Sequence, residues 1–243
     1  MNEKTLQAMI KEAKRIVFFG GAGVSTGSGI PDFRGSGGLY TDTDETEESP
    51  EEMLSGNYLR KYPEKFYRYY KKNMLYPDAD PNNAHKALAK LEQIGKLTSV
   101  ITQNIDGLHQ AAGSRNVIEL HGSVLRNYCI SCMKEYPLSY IMQTNDVPVC
   151  EHCGKTVRPD VVLYGEGLDG LAFTRAQREI EHSDLLIVGG TSLTVYPAAG
   201  LIHHFKGKNF VIINQTPTPY DPYASLIIRE PIEEVLCEAT KEL

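Results

Sequence analysis

A glycine-rich segment that follows an apolar run is the feature that most constrains this fold. Residues 15–19 read Arg-Ile-Val-Phe-Phe, which is typical of a buried strand, and residues 20–35 then hold closely spaced glycines. Glycine lets the backbone approach a pyrophosphate, and the N-terminus of a following helix, expected near Ser25, offers free N–H groups. The dinucleotide fingerprint is incomplete, because Thr26 stands where its third glycine belongs. The segment therefore indicates either a nucleotide site or an ordinary strand-to-helix turn.

Apolar runs recur along the chain and alternate with helical patterns. The strand-like runs lie at 15–19, 98–102, 117–120, 160–163, 185–188, 210–213 and 226–228. The helical patterns lie at 3–14, 63–76, 84–94, 171–182 and 197–205. This alternation predicts an α/β fold in which a parallel sheet is covered by helices on both faces. Ligands of such sheets bind beyond the carboxyl ends of the strands, so residues at those ends are candidates for a site.

Length and charge limit the class of protein further. The 243 residues fit one large domain, or one domain with a small insertion. The net charge of −6 disfavours nucleic-acid backbones, so we expect no nucleic-acid partner. No apolar run approaches the roughly 20 residues that span a bilayer, and the N-terminus has a helical pattern instead of a signal peptide. We therefore expect a cytoplasmic protein, monomeric and without a membrane partner.

Four of the five cysteines form two Cys-x-x-Cys pairs. The 17 residues 133–149 separate the pairs, which is the spacing of a tetrahedral zinc site, whereas a redox role needs only one pair. We predict one structural Zn²⁺, because four thiolates leave no position for a reactive water. The fifth cysteine, Cys237, is expected to pack on a C-terminal helix. The predicted zinc ligands are Cys129, Cys132, Cys150 and Cys153.

Polar side chains follow two of the predicted strands. Gln103, Asn104 and Asp106 come after the run at 98–102, where amide and carboxylate groups suit hydrogen bonds to ribose hydroxyls and a carboxamide. His121 follows the run at 117–120 and is a candidate general base, although a histidine there can also be purely structural.

The segment 41–52 is acidic and has little apolar surface to bury. It reads Thr-Asp-Thr-Asp-Glu-Thr-Glu-Glu-Ser-Pro-Glu-Glu, which indicates a solvated loop. The alternative is a flap that becomes ordered when a cofactor binds.

Several segments carry a resemblance when they are taken together. They are Gly21-Ala-Gly-Val-Ser25, Ser28-Gly-Ile-Pro-Asp-Phe-Arg34, Thr102-Gln-Asn-Ile-Asp-Gly-Leu-His109, Glu119-Leu-His-Gly122, the two cysteine pairs, Arg158-Pro-Asp-Val-Val-Leu-Tyr-Gly-Glu166, Gly190-Thr-Ser-Leu193 and Val195-Tyr-Pro-Ala198. In type and in order these segments resemble the motifs of the sirtuins, the NAD-dependent protein deacylases, of the bacterial type. The resemblance extends over nearly the whole chain.

The resemblance implies a two-part architecture. The larger part is a Rossmann-like parallel sheet with helices on both faces, formed by residues 1–35, 83–122 and 158–243. The smaller part consists of a helical module with a flexible cofactor loop, residues 36–82, and a zinc-ribbon module with four cysteine ligands, residues 123–157.

The resemblance also implies roles for individual residues. Catalysis is assigned to His121, as the general base, and to Asn104. An acyl-lysine peptide is expected to contact Val161, Val162, Tyr164, Val195 and Tyr196. The residues expected to bind NAD, the cosubstrate, are Ala22, Thr26, Phe33, Arg34, Gln103, Ile105, Asp106, His121, Thr191, Ser192, Asn214 and Ile232.

The implied reaction is NAD-dependent deacetylation of protein lysine. The acetyl group moves to ADP-ribose, and the products are nicotinamide, O-acetyl-ADP-ribose and free lysine. Tyr164 stands where the family usually has phenylalanine, which can alter acyl preference. Tyr67 is followed three residues later by Tyr70 and not by the arginine of desuccinylating relatives, which favours short neutral acyl groups.

Three other functions remain open at this stage. They are a mono-ADP-ribosyltransferase, a deacylase that prefers other acyl groups, and an NAD-binding or zinc-ribbon module without turnover. A dehydrogenase is disfavoured, because the glycine fingerprint is incomplete and the acidic residues about 20 positions further on lie in a loop.

Overall fold

The computed structural model describes residues 2–32 and 48–243. Phe33, Arg34 and residues 41–47 of the acidic segment lie outside this range, so the predictions for them stay predictions. Within it, the strands are β1 Ile16–Gly20, β2 Leu97–Thr102, β3 Val117–Glu119, β4 Gly122–Cys129, β5 Glu135–Pro137, β6 Val157–Val161, β7 Leu185–Gly189, β8 Asn209–Ile213 and β9 Leu226–Ile228. The α-helices are α1 Asn2–Glu12, α2 Pro50–Met53, α3 Gly56–Lys61, α4 Pro63–Met74, α5 Asn83–Gln93, α6 Leu108–Ala111, α7 Leu138–Gln143, α8 Gly170–Glu181 and α9 Ile232–Thr240.

The larger sheet has six strands in the order β3-β2-β1-β7-β8-β9, and every neighbouring pair is parallel. Gly20 at the end of β1 lies opposite Thr102 on one side and Gly189 on the other. The carboxyl ends of β2, β1 and β7 are therefore level, and the segments that follow them emerge at one edge of the sheet.

The strand β1 shows how the sheet is buried on both faces. Ile16 and Phe18 pack in one core cluster with residues of α1, α5 and α9. Val17 and Phe19 pack in a second cluster with residues of α8 and of the 198–204 segment. Side chains alternate across a strand, so an unbroken apolar run serves two cores. Each fully buried phenylalanine contributes about 2–3 kcal/mol by removing apolar area from water. The predicted α/β sheet with helices on both faces is confirmed.

The smaller sheet is antiparallel, with three strands in the order β5-β4-β6. Cys129 of β4 and Val157 of β6 share a third core cluster with Phe66, Tyr67 and Tyr70 of α4. The smaller sheet and the helices α2 to α4 therefore share one core.

The run at 160–163 differs from the prediction. Residues 157–161 form β6, which pairs antiparallel with β4 and does not enter the parallel sheet. An apolar run shows that a strand is buried but not which strand is its neighbour. The limits proposed at 122/123 and 157/158 fall inside β4 and β6, and the division into domains stays a prediction.

Four local features also differ. Short 3₁₀ turns at Ala22–Val24 and Thr26–Ser28 replace the helix expected near Ser25, and Ala198–His204 is 3₁₀ instead of α-helical. Cys237 lies on α9 but is exposed, so its predicted packing role is wrong. The acidic composition of 41–52 predicted a loop throughout, but α2 begins within this segment at Pro50.

Helix α2 begins inside the acidic segment because Ser49 caps it. The Ser49 hydroxyl accepts a hydrogen bond from the Glu52 N–H at 3.2 Å, and Met53 is buried.

Among residues 2–32 and 48–243, no helix combines the length and apolar composition that crossing a bilayer requires.

Candidate active site

A cavity of about 910 Å³ opens at the carboxyl edge of the larger sheet and extends to the end of β6. The sequence-predicted NAD, peptide and catalytic residues that the structure describes all line this cavity, although they come from distant parts of the chain. They are Ala22, Thr26, Gln103, Asn104, Ile105, Asp106, His121, Val161, Val162, Tyr164, Thr191, Ser192, Val195, Tyr196, Asn214 and Ile232.

The glycine segment after β1 is locked against the turn after β7. The Gly23 N–H donates to the Gly190 carbonyl at 2.9 Å, and a Cβ on Gly23 would lie 2.8 Å from the Gly190 Cα. A Cβ on Gly21 would lie 2.8 Å from the Thr191 Cβ. Glycine is required at both positions because two backbones meet there. This contact leaves Ala22 and Thr26 facing the cavity.

A polar network lies on the floor of the cavity. Asn104 Nδ2 donates to the Ser25 hydroxyl at 3.0 Å, and that hydroxyl donates to Asp106 Oδ2 at 2.7 Å. Gln103 Nε2 donates to Thr191 Oγ1 at 3.0 Å, which links the ends of β2 and β7. The sequence analysis did not select Ser25 as a site residue. The signal available was its hydroxyl in a glycine-rich turn, but its partners lie about 80 residues away along the chain.

His121 is oriented by one hydrogen bond. Its Nδ1 lies 2.9 Å from the Gln103 carbonyl oxygen. Since a carbonyl only accepts, Nδ1 carries the proton and Nε2 of the neutral ring keeps its lone pair. Burial lowers the pKa of His121 below its ordinary value, against the opposing effect of the Gln103 hydrogen bond. The side chain is therefore neutral at pH 7 and able to accept a proton at Nε2.

The segment after β6 runs beside His121. The Val162 N–H donates to the His121 carbonyl at 3.0 Å, and Val161, Val162 and Tyr164 line the cavity. Val195 and Tyr196 line it as well, and Tyr196 is two-thirds exposed. These residues give the cavity an apolar side that continues to the surface.

The four predicted zinc ligands lie together. Their sulfur atoms are all within 4.8 Å of one another, and three of the separations are 3.4, 3.5 and 3.6 Å. Four thiolates at the usual Zn–S distance of about 2.3 Å lie roughly 3.8 Å apart, whereas a disulfide requires about 2.05 Å. The Tyr136 hydroxyl donates to Cys150 Sγ at 3.2 Å and helps to orient that ligand.

These four residues fit a structural zinc ion with a closed coordination sphere. None of them is among the described residues that line the cavity, so the metal site and the cavity are separate.

Fold and site together define a class. A parallel sheet with a glycine turn at its carboxyl edge, a neutral, partly buried histidine and a separate cluster of four cysteines describes a Rossmann-like nucleotide-dependent enzyme with structural zinc. A sequence model of the Sir2 family matches residues 21–197. The chain belongs to the Sir2 family.

Curated relatives extend this similarity over the whole chain. The chain is 54% identical over 241 residues to an NAD-dependent protein deacetylase of Clostridium tetani, covering 99% of this chain and 98% of that protein. It is 53% identical to an NAD-dependent protein deacetylase of Clostridium perfringens, covering 95% of each.

Solved structures agree with these relatives. A Sir2 variant in complex with a deacetylated p53 peptide and 3′-O-acetyl ADP ribose matches with a TM-score of 0.90 and 39% identity, covering 100% of this chain and 98% of that chain. A complex of a Sir2 homolog with NAD matches with a TM-score of 0.89 and 42% identity, covering 99% of this chain and 93% of that chain.

Proposed function

We infer that this chain is an NAD-dependent protein-lysine deacetylase. The observation that carries the inference is the position of His121, a partly buried base with a free Nε2, beside the polar floor of a cavity of about 910 Å³. Curated relatives about half identical to this chain carry the same activity in their names. Nicotinamide leaves C1′ of its ribose as the acetyl carbonyl oxygen bonds to that carbon, and one water is consumed as the acetyl group passes to the ribose. The products are nicotinamide, O-acetyl-ADP-ribose and free lysine.

The NAD cosubstrate supplies the ribose that accepts the acetyl group. Ala22 and Thr26, together with Phe33 and Arg34, hold its phosphates and adjoining ribose. Gln103 contacts the nicotinamide ribose. The adenosine half lies against Thr191, Ser192, Asn214 and Ile232.

Two residues hold the nicotinamide carboxamide. Asp106 accepts from its amide N–H groups, and the Ile105 backbone provides the other contact. Ser25 and Asn104 keep the Asp106 carboxylate in place through the hydrogen bonds described above. Asn104 also lies where it can orient the reacting ribose, which is the role we propose for it in catalysis.

His121 acts as the general base. Its Nε2 removes the proton from a ribose hydroxyl, and the Gln103 carbonyl stabilises the imidazolium that results through its bond to Nδ1–H. Loss of such a base reduces activity by about 10²- to 10⁴-fold.

The acetyl-lysine peptide binds as an added strand between the two parts of the molecule. Its backbone lies between the 161–164 segment and the 194–196 segment, because extended peptides pair with backbone left at a sheet edge. Tyr70 in place of an arginine favours short neutral acyl groups, acetyl first. Tyr164 brings a hydroxyl to the same wall.

The test is product analysis with a matched pair of variants. Purified protein is incubated with an acetyl-lysine peptide and NAD, and mass spectrometry follows peptide, nicotinamide and O-acetyl-ADP-ribose. We expect equal amounts of the three products, loss of turnover in His121→Ala, and normal turnover in His182→Ala, whose ring is exposed and does not line the cavity.

Two other outcomes would change the assignment. Nicotinamide release with ADP-ribose attached to protein would support a mono-ADP-ribosyltransferase. Consumption of NAD only with longer acyl peptides would support a deacylase of different acyl preference. We also propose that the protein is a cytoplasmic monomer. Light scattering after size exclusion tests the oligomeric state.

A further inference from the structure

One largely buried ion pair lies at the side of the cavity formed by the end of β6. Arg158 NH1 and NH2 donate to the two carboxylate oxygens of Glu166 at 2.7 and 2.9 Å. Both side chains are largely buried, with 16% and 26% of their surface exposed. A two-point contact of this kind fixes orientation as well as distance.

The pair also binds the backbone of the segment between its partners. Arg158 NH2 donates to the Val161 carbonyl at 2.9 Å, and the Leu163 N–H donates to Glu166 Oε2 at 3.0 Å. The ion pair therefore holds two backbone groups of the 161–165 loop, the Val161 carbonyl at its start and the Leu163 N–H within it. This loop and Glu166 line the cavity, whereas Arg158 does not.

The same loop is attached to the helical part of the molecule. The Tyr164 N–H donates to the Leu54 carbonyl, and the Gly56 N–H donates to the Tyr164 carbonyl, both at 3.1 Å. Gly56 fits tightly against the acid, because a Cβ there would lie 2.7 Å from Glu166 Oε1. The position of Glu166 thus sets how closely the loop approaches the helix pair α2–α3.

Both groups of the pair are charged at neutral pH. The hydrogen bond to Glu166 raises the pKa of Arg158 above its ordinary value. Burial by itself raises the pKa of Glu166, but the hydrogen bonds from Arg158 and from the Leu163 N–H outweigh it, so the pKa is lowered overall.

We propose that Arg158 and Glu166 are positioning residues for the protein substrate: their ion pair holds residues 161–165 in the geometry that receives the acetyl-lysine peptide. This inference rests on the proposed function, in which that segment contacts the peptide. Within residues 2–32 and 48–243, the hydrogen bonds of the pair go to the 159–163 backbone and to no residue proposed to hold NAD. It therefore sets the affinity for peptide and leaves the affinity for NAD unchanged.

The variants separate these two affinities. Glu166→Gln keeps the shape and a hydrogen-bond acceptor but removes the charge. Arg158→Lys keeps the charge but removes the two-point contact. Asp160→Asn is the control, because Asp160 lies on β6 between them, pairs with Arg126 on an exposed face at 2.8 Å and does not line the cavity.

Steady-state kinetics then give the KM for an acetyl-lysine peptide and for NAD. In Glu166→Gln we expect the peptide KM to rise about tenfold, while the NAD KM and the kcat at saturating peptide stay within about twofold. Arg158→Lys should raise the peptide KM about threefold, and Asp160→Asn should match the wild type. Melting curves show which variants are folded. If Glu166→Gln is not folded, the kinetics of Arg158→Lys test the proposal.

Three results would overturn the inference. The first is an unchanged peptide KM in folded Glu166→Gln and Arg158→Lys. The second is an equal rise of both KM values with a lower melting temperature, which would mean a purely structural pair. The third is a similar effect in Asp160→Asn.

The two proposals fail in different ways. Turnover by the wild type with an unchanged peptide KM in the variants would remove only the positioning role. If the wild type shows no turnover, peptide binding is measured instead, by the polarisation of a labelled acetyl-lysine peptide in the presence of NAD. The measurement compares the wild type with Glu166→Gln. Weaker binding by the variant would support the positioning role, and equal or undetectable binding by both proteins would overturn it.

Discussion

His121 has a defined tautomer because its Nδ1 faces a backbone carbonyl. The Gln103 carbonyl holds the Nδ1 proton, and partial burial keeps the free ring neutral. The single residue therefore carries both properties of a general base, an available lone pair at Nε2 and a suitable pKa. A histidine on a solvated strand end would have neither a fixed tautomer nor a lowered pKa.

The pH dependence of kcat/KM tests this description of His121. Because burial lowers its pKa, the neutral form persists below the ordinary value of 6.5. Activity should be lost as pH falls through that lowered pKa, so the acid limb of the profile should have its midpoint below 6.5. The profile is measured between about pH 5 and 9 with saturating NAD. A midpoint at or above 6.5 would contradict the assignment.

Helices α5 and α6 bury a pair of histidines that the proposed mechanism does not use. The rings of His85 and His109 lie 4.7 Å apart between centroids, and both are almost fully buried. Within the described residues, neither ring nitrogen of His109 has a hydrogen-bond partner. Burial is the main reason that the pKa of His85 falls to about 4 and that of His109 to about 3.

This pair should make folding stability dependent on pH. Between about pH 4 and 6.5 the unfolded chain binds protons that the folded chain does not, so stability decreases as pH falls. Each histidine contributes a slope of up to about 1.4 kcal/mol per pH unit. Urea unfolding at pH 7.5, 6.5 and 5.5 measures the slope.

Substitution identifies the source of that slope. His109→Leu replaces a titrating side chain by an apolar one of similar size and should reduce the slope of stability against pH. His182 is exposed, so His182→Gln should leave the slope unchanged. An equal slope in all three proteins would place the pH dependence elsewhere.

Two of the four predicted zinc ligands are part of an apolar core. Cys129 and Cys150 are buried in the same cluster as Tyr136 and the α4 aromatics, so the ligands are part of that core. Cys132→Ser should abolish stoichiometric zinc and cost about 3 kcal/mol, which lowers the melting temperature by roughly 6–12 °C. Metal analysis and thermal melting measure both effects.

Cys237→Ser is the matched control for the zinc site. Cys237 is exposed on α9 and lies outside the cluster, so its substitution should change neither zinc content nor melting temperature. Full zinc content in Cys132→Ser would show that the cluster is not the metal site.

At the scale of the whole molecule, one cavity joins segments from both parts of the structure. The glycine turn, the ends of β2 and β7 and the segment after β6 all contribute to its lining. A ligand that contacts several of these segments stabilises them together, because it binds only the folded chain.

NAD should therefore raise the melting temperature. At a hundredfold excess over its Kd, a ligand stabilises the folded state by about 2.7 kcal/mol, which corresponds to roughly 5–10 °C for a chain of this size. Thermal melting with and without NAD measures the shift. His121→Ala should keep most of it, since the other proposed NAD contacts remain. The absence of any shift in the wild type would contradict NAD binding at this cavity.

The sequence by itself determined the fold class, the cysteine cluster and the polar residues after β2 and β3. Each depends on a local pattern, namely apolar runs for strands, Cys-x-x-Cys spacing for zinc ligands, and polar residues directly after strands. The other predicted cavity residues were implied by the resemblance to a family. The resemblance to a family then ordered these patterns along the chain. The cavity-lining positions of the described predicted residues agree with that ordering, while their contacts with NAD and peptide stay predictions.

Only the tertiary structure decided which segments meet. It placed β6 in the antiparallel sheet, joined Ser25 to Asp106, and fixed the His121 tautomer through the Gln103 carbonyl. It also paired Arg158 with Glu166 across the 161–165 loop. The physical reason is that hydrogen-bond partners and strand neighbours are set by packing between distant segments, whereas a sequence pattern reports only the local preference for burial and conformation.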